Sequence, residues 1–331
     1  MYKSLFTLFS ILFCSAVAFA QTQIAPVADH HQHLFSPAMA EFQKVTPITA
    51  QDVITLLDAA GIERAVLLST AYSYGRPGRE PQNEYERVKE ENDWVGAQAA
   101  LFPKRLVGFC GFNPFKEYAL SEIERCSKNP NLRRGIKMHF GNSDVQLQNP
   151  EHIEKLKAIF RAANAKRMSM VIHMRASISL NRPYGAEEVR AFLEQLLPLA
   201  SDVTVQIAHL AGTGPGFEDP KQDVALDAFV EALSKGTNNS ANGKRAWWRD
   251  KRYRNLWFDI TTSAHTSNTP ERSALLIKRL RQIGMDRILY GTDAALGNNL
   301  RPKEAWAEVL KLGLTDQEVR TIARNKAPYL R

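Results

Sequence analysis

The chain has 331 residues, 44% of them hydrophobic and 24% charged, with three cysteines and a formal net charge of +8. That composition excludes wholesale disorder and a disulfide-dense miniature scaffold. The basic residues are scattered rather than gathered into a stripe, which argues against nucleic acid and leaves small anionic molecules as the partners the charge favours.

The N-terminal segment stands apart. Lys3, an apolar run over 5–17 and Ala18-Phe19-Ala20 read as a secretory signal peptide over residues 1–20. Phe13 precedes Cys14, where a lipoprotein would need a small residue, and the run is short for a membrane span. Removing 20 residues from 331 leaves 311 and takes away Cys14 and one positive charge. The expected product is exported and periplasmic, without further membrane contact, and forms a single domain over 21–331. Its oligomeric state is open, a homo-oligomer included. Export permits a disulfide between Cys110 and Cys126, although the apolar run around Cys110 favours a buried thiol.

Eight short apolar runs follow, over 27–35, 64–70, 106–113, 135–140, 169–175, 203–210, 256–262 and 287–292. Their mixture of apolar and small residues, as in Val203-Thr204-Val205-Gln206-Ile207-Ala208, suits strands buried on both faces of a parallel sheet. Amphipathic stretches alternate with them. Ile153, Leu156, Ile159, Phe160 and Ala163 form one helical stripe, opened by Asn149-Pro150. Ala191, Leu193, Leu196 and Leu197 belong to a second helix, and Leu275, Ile277, Leu280 and Ile283 to a third that Gly284 follows. Eight β-then-α units in about 300 residues predict an α/β protein, a (β/α)8 TIM barrel. A doubly wound open sheet would place a glycine-rich turn after its first strand, where Leu34-Phe35-Ser36-Pro37 has none. A polar, basic insert over 237–255 precedes the seventh strand and is expected at the non-catalytic end.

In such a barrel, chemistry gathers at the C-terminal ends of the strands. The first strand reads Asp29-His30-His31-Gln32-His33. Alternation sends Asp29, His31 and His33 to one face, with His30 and Gln32 toward the helices. Two imidazoles two residues apart offer a metal two ligands from one rigid element. His173 and His209 end the fifth and sixth strands, and Asp293 the eighth. Any one of these alone reads as a core residue, but the ordered set reads as a metal site. Lys137 and His139 share an inward face of the fourth strand, and Arg175 lies two residues beyond His173. Tyr72, Tyr74, Arg76 and Arg79 follow the second strand; Asn113 and Ser263 end the third and seventh. Arginines grip carboxylates in bidentate fashion, so the substrate contacts expected at Arg175, His139, Lys137 and Tyr72 fit a small organic acid.

The ordered motifs resemble the amidohydrolase superfamily, in its branch of aminocarboxymuconate-semialdehyde decarboxylase and pyrone-dicarboxylate lactonase. The resemblance rests on Asp29-x-His31-x-His33-Leu34, His173, His209-Leu210-Ala211-Gly212, Leu289-Tyr290-Gly291-Thr292-Asp293 and the closing stretch to Asn325-Lys326-Ala327, and spans nearly all of the mature chain. It departs from the usual Asn-Ala ending by the insertion of Lys326. The resemblance implies His31, His33, His173 and Asp293 as ligands of one divalent metal, zinc first, with manganese or iron accepted by the same donors. It implies His209 and Asp293 as acid–base residues, His209 being an alternative ligand. Lys137 is a carboxylated bridge between two metals, a contact for a substrate carboxylate, or an anchored core ammonium.

Three functions fit these residues. The first is hydrolysis of a small carboxylated ester, lactone or amide by metal-activated water. The second is non-oxidative decarboxylation of an unsaturated or aromatic acid. The third is an inert exported binding protein on the same barrel.

Overall fold

Each of the eight apolar runs becomes a parallel strand, shorter than its run, in a computed structural model that describes residues 24–235, 251–294 and 299–330. The strands are β1 Ala28–Gln32, β2 Arg64–Leu68, β3 Leu106–Gly111, β4 Gly135–His139, β5 Ser169–His173, β6 Val205–Ile207, β7 Leu256–Asp259 and β8 Ile288–Leu289. They pair in sequence order, each parallel to the next. The residues just after β8 complete the ring, because His30 N donates to Tyr290 O at 2.9 Å and Asp293 N to His31 O at 2.7 Å. Together with the intervening helices, this is the expected (β/α)8 barrel.

Local chemistry sets the helices. Asn149 caps Pro150–Ala165 by accepting from Glu151 N, and the helix buries the stripe Ile153, Leu156, Ile159, Phe160 and Ala163. The later helix Pro270–Ile283 is rotated from the expected stripe. It buries Leu276, Leu280 and Ile283 and leaves Leu275 and Ile277 half-buried. Arg279 takes a place on the buried face because its guanidinium meets Asp223 at 2.7 Å and also Asp227, so the charge is paired.

The barrel interior holds its own packed cluster, including Val66, Leu68, Phe109, Val171, Trp257 and Leu289. Ala327, Tyr329 and Leu330 join it, so the C-terminal turn Pro328–Leu330 closes the N-terminal end of the barrel. The opposite end is left for the site.

Two expectations need correction. Cys110 is not a free buried thiol: it is bonded to Cys126, with the Cα atoms 6.4 Å apart. The strict alternation along β1 also fails. Asp29 pairs with Ala65 and Gln32 with Leu67, so three steps oppose two and a bulge lies between them. Asp29 and Gln32 consequently meet, Gln32 Nε2 donating to Asp29 Oδ2 at 2.7 Å. His30 contacts the C-terminal tail rather than the helices, its Nε2 accepting from Ala327 N at 3.3 Å. The signal peptide over 1–20 and most of the insert over 237–255 lie outside the described residues. Among the described residues, no helix is long and apolar enough to cross a membrane.

Candidate metal centre

His31 and His33 are each fixed by a hydrogen bond on the far side of the ring. His33 Nδ1 lies 2.6 Å from Leu68 O, a carbonyl that can only accept, so Nδ1 carries the proton. His31 Nδ1 is likewise held 3.2 Å from the Asp259 carboxylate. Both Nε2 atoms therefore present lone pairs, and they face each other at 3.2 Å. Asp293 Oδ1 lies 3.0 Å from His33 Nε2 and 3.7 Å from His31 Nε2, with no hydrogen-bond donor of its own. The Lys137 ammonium reaches His31 Nε2 at 3.0 Å, but Asp293 Oδ1 accepts no hydrogen bond, so the carboxylate oxygen and the His33 Nε2 lone pair beside it repel each other unless a cation joins them. The donor set thus fits a transition metal, and the three donor atoms lie within 4.8 Å of one another.

Asp259 is the residue that sequence reading missed. It ends β7, four residues before Ser263. Its Oδ2 accepts from His31 Nδ1 and from Gln206 Nε2 at 2.6 Å, and its Oδ1 from His209 N at 2.8 Å and Thr261 N at 3.2 Å. Burial works to raise the Asp259 carboxyl, but His31 and Thr261 outweigh it and hold the group below the ordinary carboxylate range. Asp259, His31 and His209 also form a compact cluster. With both oxygens fully engaged, however, Asp259 has none to spare for an ion; it holds the His31 ring and the His209 backbone, the arrangement of a carboxylate behind a candidate ligand. A lone carboxylate ending an apolar strand was the available signal.

His209 donates from Nδ1 to Thr261 O at 3.1 Å, which leaves Nε2 as an acceptor on the other edge of the ring. Its backbone is left-handed (φ 54°), as are those of Leu210, Ala211, Thr262 and Asp293. Each such non-glycine residue costs about 1–3 kcal/mol, and their gathering here marks a site whose surroundings over-determine the chain. Asp259 holds His209 N, Gln222 Nε2 holds His209 O at 2.8 Å, and Tyr184 Oη holds Ala211 O at 2.6 Å.

Eight of the nine expected site residues line one cavity of about 430 Å³: His31, His33, Tyr72, Lys137, His139, His173, His209 and Asp293. Lys137 Nζ reaches His31 Nε2 at 3.0 Å, and burial lowers its ammonium to about 8. Burial likewise keeps His31, His139, His173 and His209 neutral. His139 stacks on His173 with centroids 3.8 Å apart, and Tyr72 lies 5.2 Å from His139. His139 Nδ1 accepts from Asn142 N at 3.1 Å, which makes its Nε2–H a donor. His173 lines the cavity but is outside the converging trio. The ninth residue, Arg175, lines an adjoining cavity with Arg76, its guanidinium bonded to Asp219 at 2.7 Å and lying over the Tyr184 ring. Arg79 lies 6.0 Å above Phe42, Tyr74 is buried, and Asn113 Nδ2 is spent on Gly75 O.

The amidohydrolase family profile matches residues 28–327. The chain belongs to the amidohydrolase family.

Among curated proteins, none matches it. Solved amidohydrolase-like structures do. The 2,6-dihydroxybenzoate decarboxylase from Rhizobium superposes with a TM-score of 0.61 at 16% identity, over 91% of this chain and 96% of its own. A dihydroxybenzoic acid decarboxylase from Polaromonas, with bound manganese and the inhibitor 2-nitroresorcinol, gives 0.59 at 15% identity, over 91% and 95%. A probable 2-pyrone-4,6-dicarboxylic acid hydrolase from Acinetobacter baumannii with bound citric acid gives 0.54 at 17%, over 90% and 96%. At these identities the likeness is one of fold.

Proposed function

We propose that this amidohydrolase is a metal-dependent, non-oxidative decarboxylase of a planar aromatic or unsaturated carboxylic acid. The observation that carries the reading is the aromatic wall beside the converging donors: the His139–His173 stack with Tyr72 against it. Flat rings favour a flat ligand. Hydrolysis, which the sequence put first, becomes the second reading. It is favoured by Lys137, a cation beside His31 that suits a polarised carbonyl, and by the likeness to the pyrone-dicarboxylic acid hydrolase.

His31, His33 and Asp293 would hold one divalent metal, with His173 as fourth ligand. Imidazole and carboxylate donors accept zinc, manganese or iron, and the Polaromonas decarboxylase carries manganese. When bound, the metal supplies a Lewis acid that grips the acid's oxygens and draws charge from its carbon skeleton. The chain's own groups supply the rest. Lys137 and the Nε2–H of His139 offer donors to an anion. Loss of carbon dioxide leaves an electron pair on carbon that one proton must fill. His209 Nε2 and Asp293, whose Oδ2 is steadied by Asn299 Nδ2 at 3.1 Å, would take that proton from solvent water and hand it to the carbon.

The test incubates metal-loaded protein with hydroxybenzoates and carboxylated lactones in heavy-isotope water. Stoichiometric carbon dioxide, with solvent deuterium at the vacated carbon, is the expected result. Solvent oxygen in a ring-opened product without carbon dioxide would establish hydrolysis instead, and tight binding without turnover an inert binding protein.

We further propose that the mature protein is exported after cleavage at Ala20. The leader motif supports this, as does the Cys110–Cys126 disulfide, which an oxidising compartment maintains. N-terminal sequencing of the protein from a periplasmic fraction tests it: a start at Met1 would overturn it.

A further inference from the structure

Behind the ligating atoms, a line of hydrogen bonds runs from His31 to the last turn of the chain. Tyr329, 6% exposed, meets Phe109 edge-on at 5.1 Å and His30 at 6.0 Å. That packing accounts for its ring but not for its hydroxyl. The hydroxyl donates to Gln206 Oε1 on β6. Gln206 Nε2 donates to Asp259 Oδ2 at 2.6 Å, the oxygen that also accepts His31 Nδ1 at 3.2 Å. Gln206, Asp259 and His31 are fully buried, so a partner lost from this line is costly.

We propose that Tyr329 is a positioning residue for the metal centre. Its hydroxyl sets the orientation of the Gln206 amide, and the amide aims Asp259 at His31. An amide has one donating and one accepting end, and it lies here between a hydroxyl and a carboxylate. Only with Nε2 toward Asp259 are all the groups paired. Without the hydroxyl, Oε1 is buried unpaired, and rotation of the amide to relieve that would set Oε1 against the carboxylate. Either outcome loosens the carboxylate that fixes the ring of His31. The hydroxyl cannot drift away, because the tail is tied down on several sides: Arg64 donates to Leu330 O, Arg134 to Tyr329 O at 2.8 Å, and Ala327 N to His30. The end of the chain is thus built into the floor of the metal site.

The inference rests on a metal at His31, and the experiment separates the two. Full-length wild type and Tyr329→Phe are compared for zinc affinity by chelator competition, for the visible spectrum of the cobalt-loaded protein, and for the melting temperature of the metal-free protein. Tyr329→Phe is expected to weaken zinc by about 3- to 10-fold, less than the roughly 10- to 100-fold of groups that touch a ligating histidine because Tyr329 acts through Gln206 and Asp259, and to alter the cobalt bands. The metal-free melting temperature is expected to fall by only a few degrees, the effect of one unpaired buried acceptor in a domain this size. In a Gln206→Leu background, Tyr329→Phe should have no further effect on affinity. An unchanged affinity and spectrum in Tyr329→Phe overturns the link, and so does full additivity with Gln206→Leu or a loss of stability with unaltered cobalt bands. A wild type that binds no metal removes the centre itself.

Discussion

His31 Nε2 and His33 Nε2 face each other across 3.2 Å, each with its proton held on the opposite side of the ring. The tautomers are imposed by Asp259 and by Leu68 O, so the lone pairs cannot turn away. The protein as purified is therefore expected to carry about one equivalent of transition metal by elemental analysis. Replacing His31 and His33 together with Ala should abolish it. Chelation should lower the melting temperature, since a ligand that binds only the native state stabilises it. A metal-free wild type whose stability is untouched by zinc or manganese would contradict the arrangement.

The carboxylate behind His31 gives the next expectation. Asp259→Asn keeps size and shape but replaces one acceptor oxygen with a donor, opposing either Gln206 Nε2 or the backbone N–H groups of His209 and Thr261. Metal affinity should fall by about 10- to 100-fold. Asp293→Asn alters a proposed metal donor and acid–base group and should reduce turnover by about 10²- to 10⁴-fold, the share that a placed acid–base group provides. An Asp293→Asn protein that turns over at the wild-type rate would remove Asp293 from the acid–base role, and unchanged ligand binding in a pair that never turns over would return the chain to the binding-protein reading.

Gly291 is required by its surroundings rather than by a turn. A Cβ there would sit 2.2 Å from Thr261 Oγ1 and 2.7 Å from His31 Cβ, because the segment after β8 runs hard against His31. Gly291→Ala should cost about 1–3 kcal/mol by overpacking, and lower metal content through displacement of His31. Denaturant unfolding and metal analysis check the two effects separately. A variant with wild-type metal content would mean that the strand, and not His31, yields.

The barrel was legible in the sequence because each strand is a short apolar run bounded by polar residues, and the candidate ligand residues end those runs. His31, His33, His173, His209 and Asp293 could therefore be placed on one rim before any coordinates. Asp259 was not, because a lone carboxylate in Leu256-Trp257-Phe258-Asp259 has no spacing partner in sequence; its partners come from β1, β6 and the turn after β6. Arg175 shows the converse limit. Its register beside His173 was readable, but the Asp219 that engages its guanidinium lies 44 residues away. The bulge in β1 hid the inward turn of His30 for a related reason, since local alternation carries no mark of an extra residue.

Glu91 supplies a pH dependence separate from the metal. It is buried in the helix Glu84–Leu101, with Oε2 accepting from Ser36 Oγ and Oε1 unpartnered. Burial raises its carboxyl from 4.5 to about 7, against the opposing effect of Ser36. Below 4.5 the folded and unfolded states are both protonated, and Glu91 adds no slope. Between 4.5 and 7 the unfolded chain releases the proton and the folded chain keeps it, so stability falls as pH rises and levels off above 7. The loss across that window is about 3 kcal/mol. Glu91→Gln keeps an acceptor for Ser36 and cannot ionise. It should match the wild type near pH 4.5, exceed it at pH 8, and flatten the slope between in denaturant unfolding of the metal-free protein. Identical slopes in the two proteins would show that Glu91 ionises in the folded state as freely as in the unfolded one.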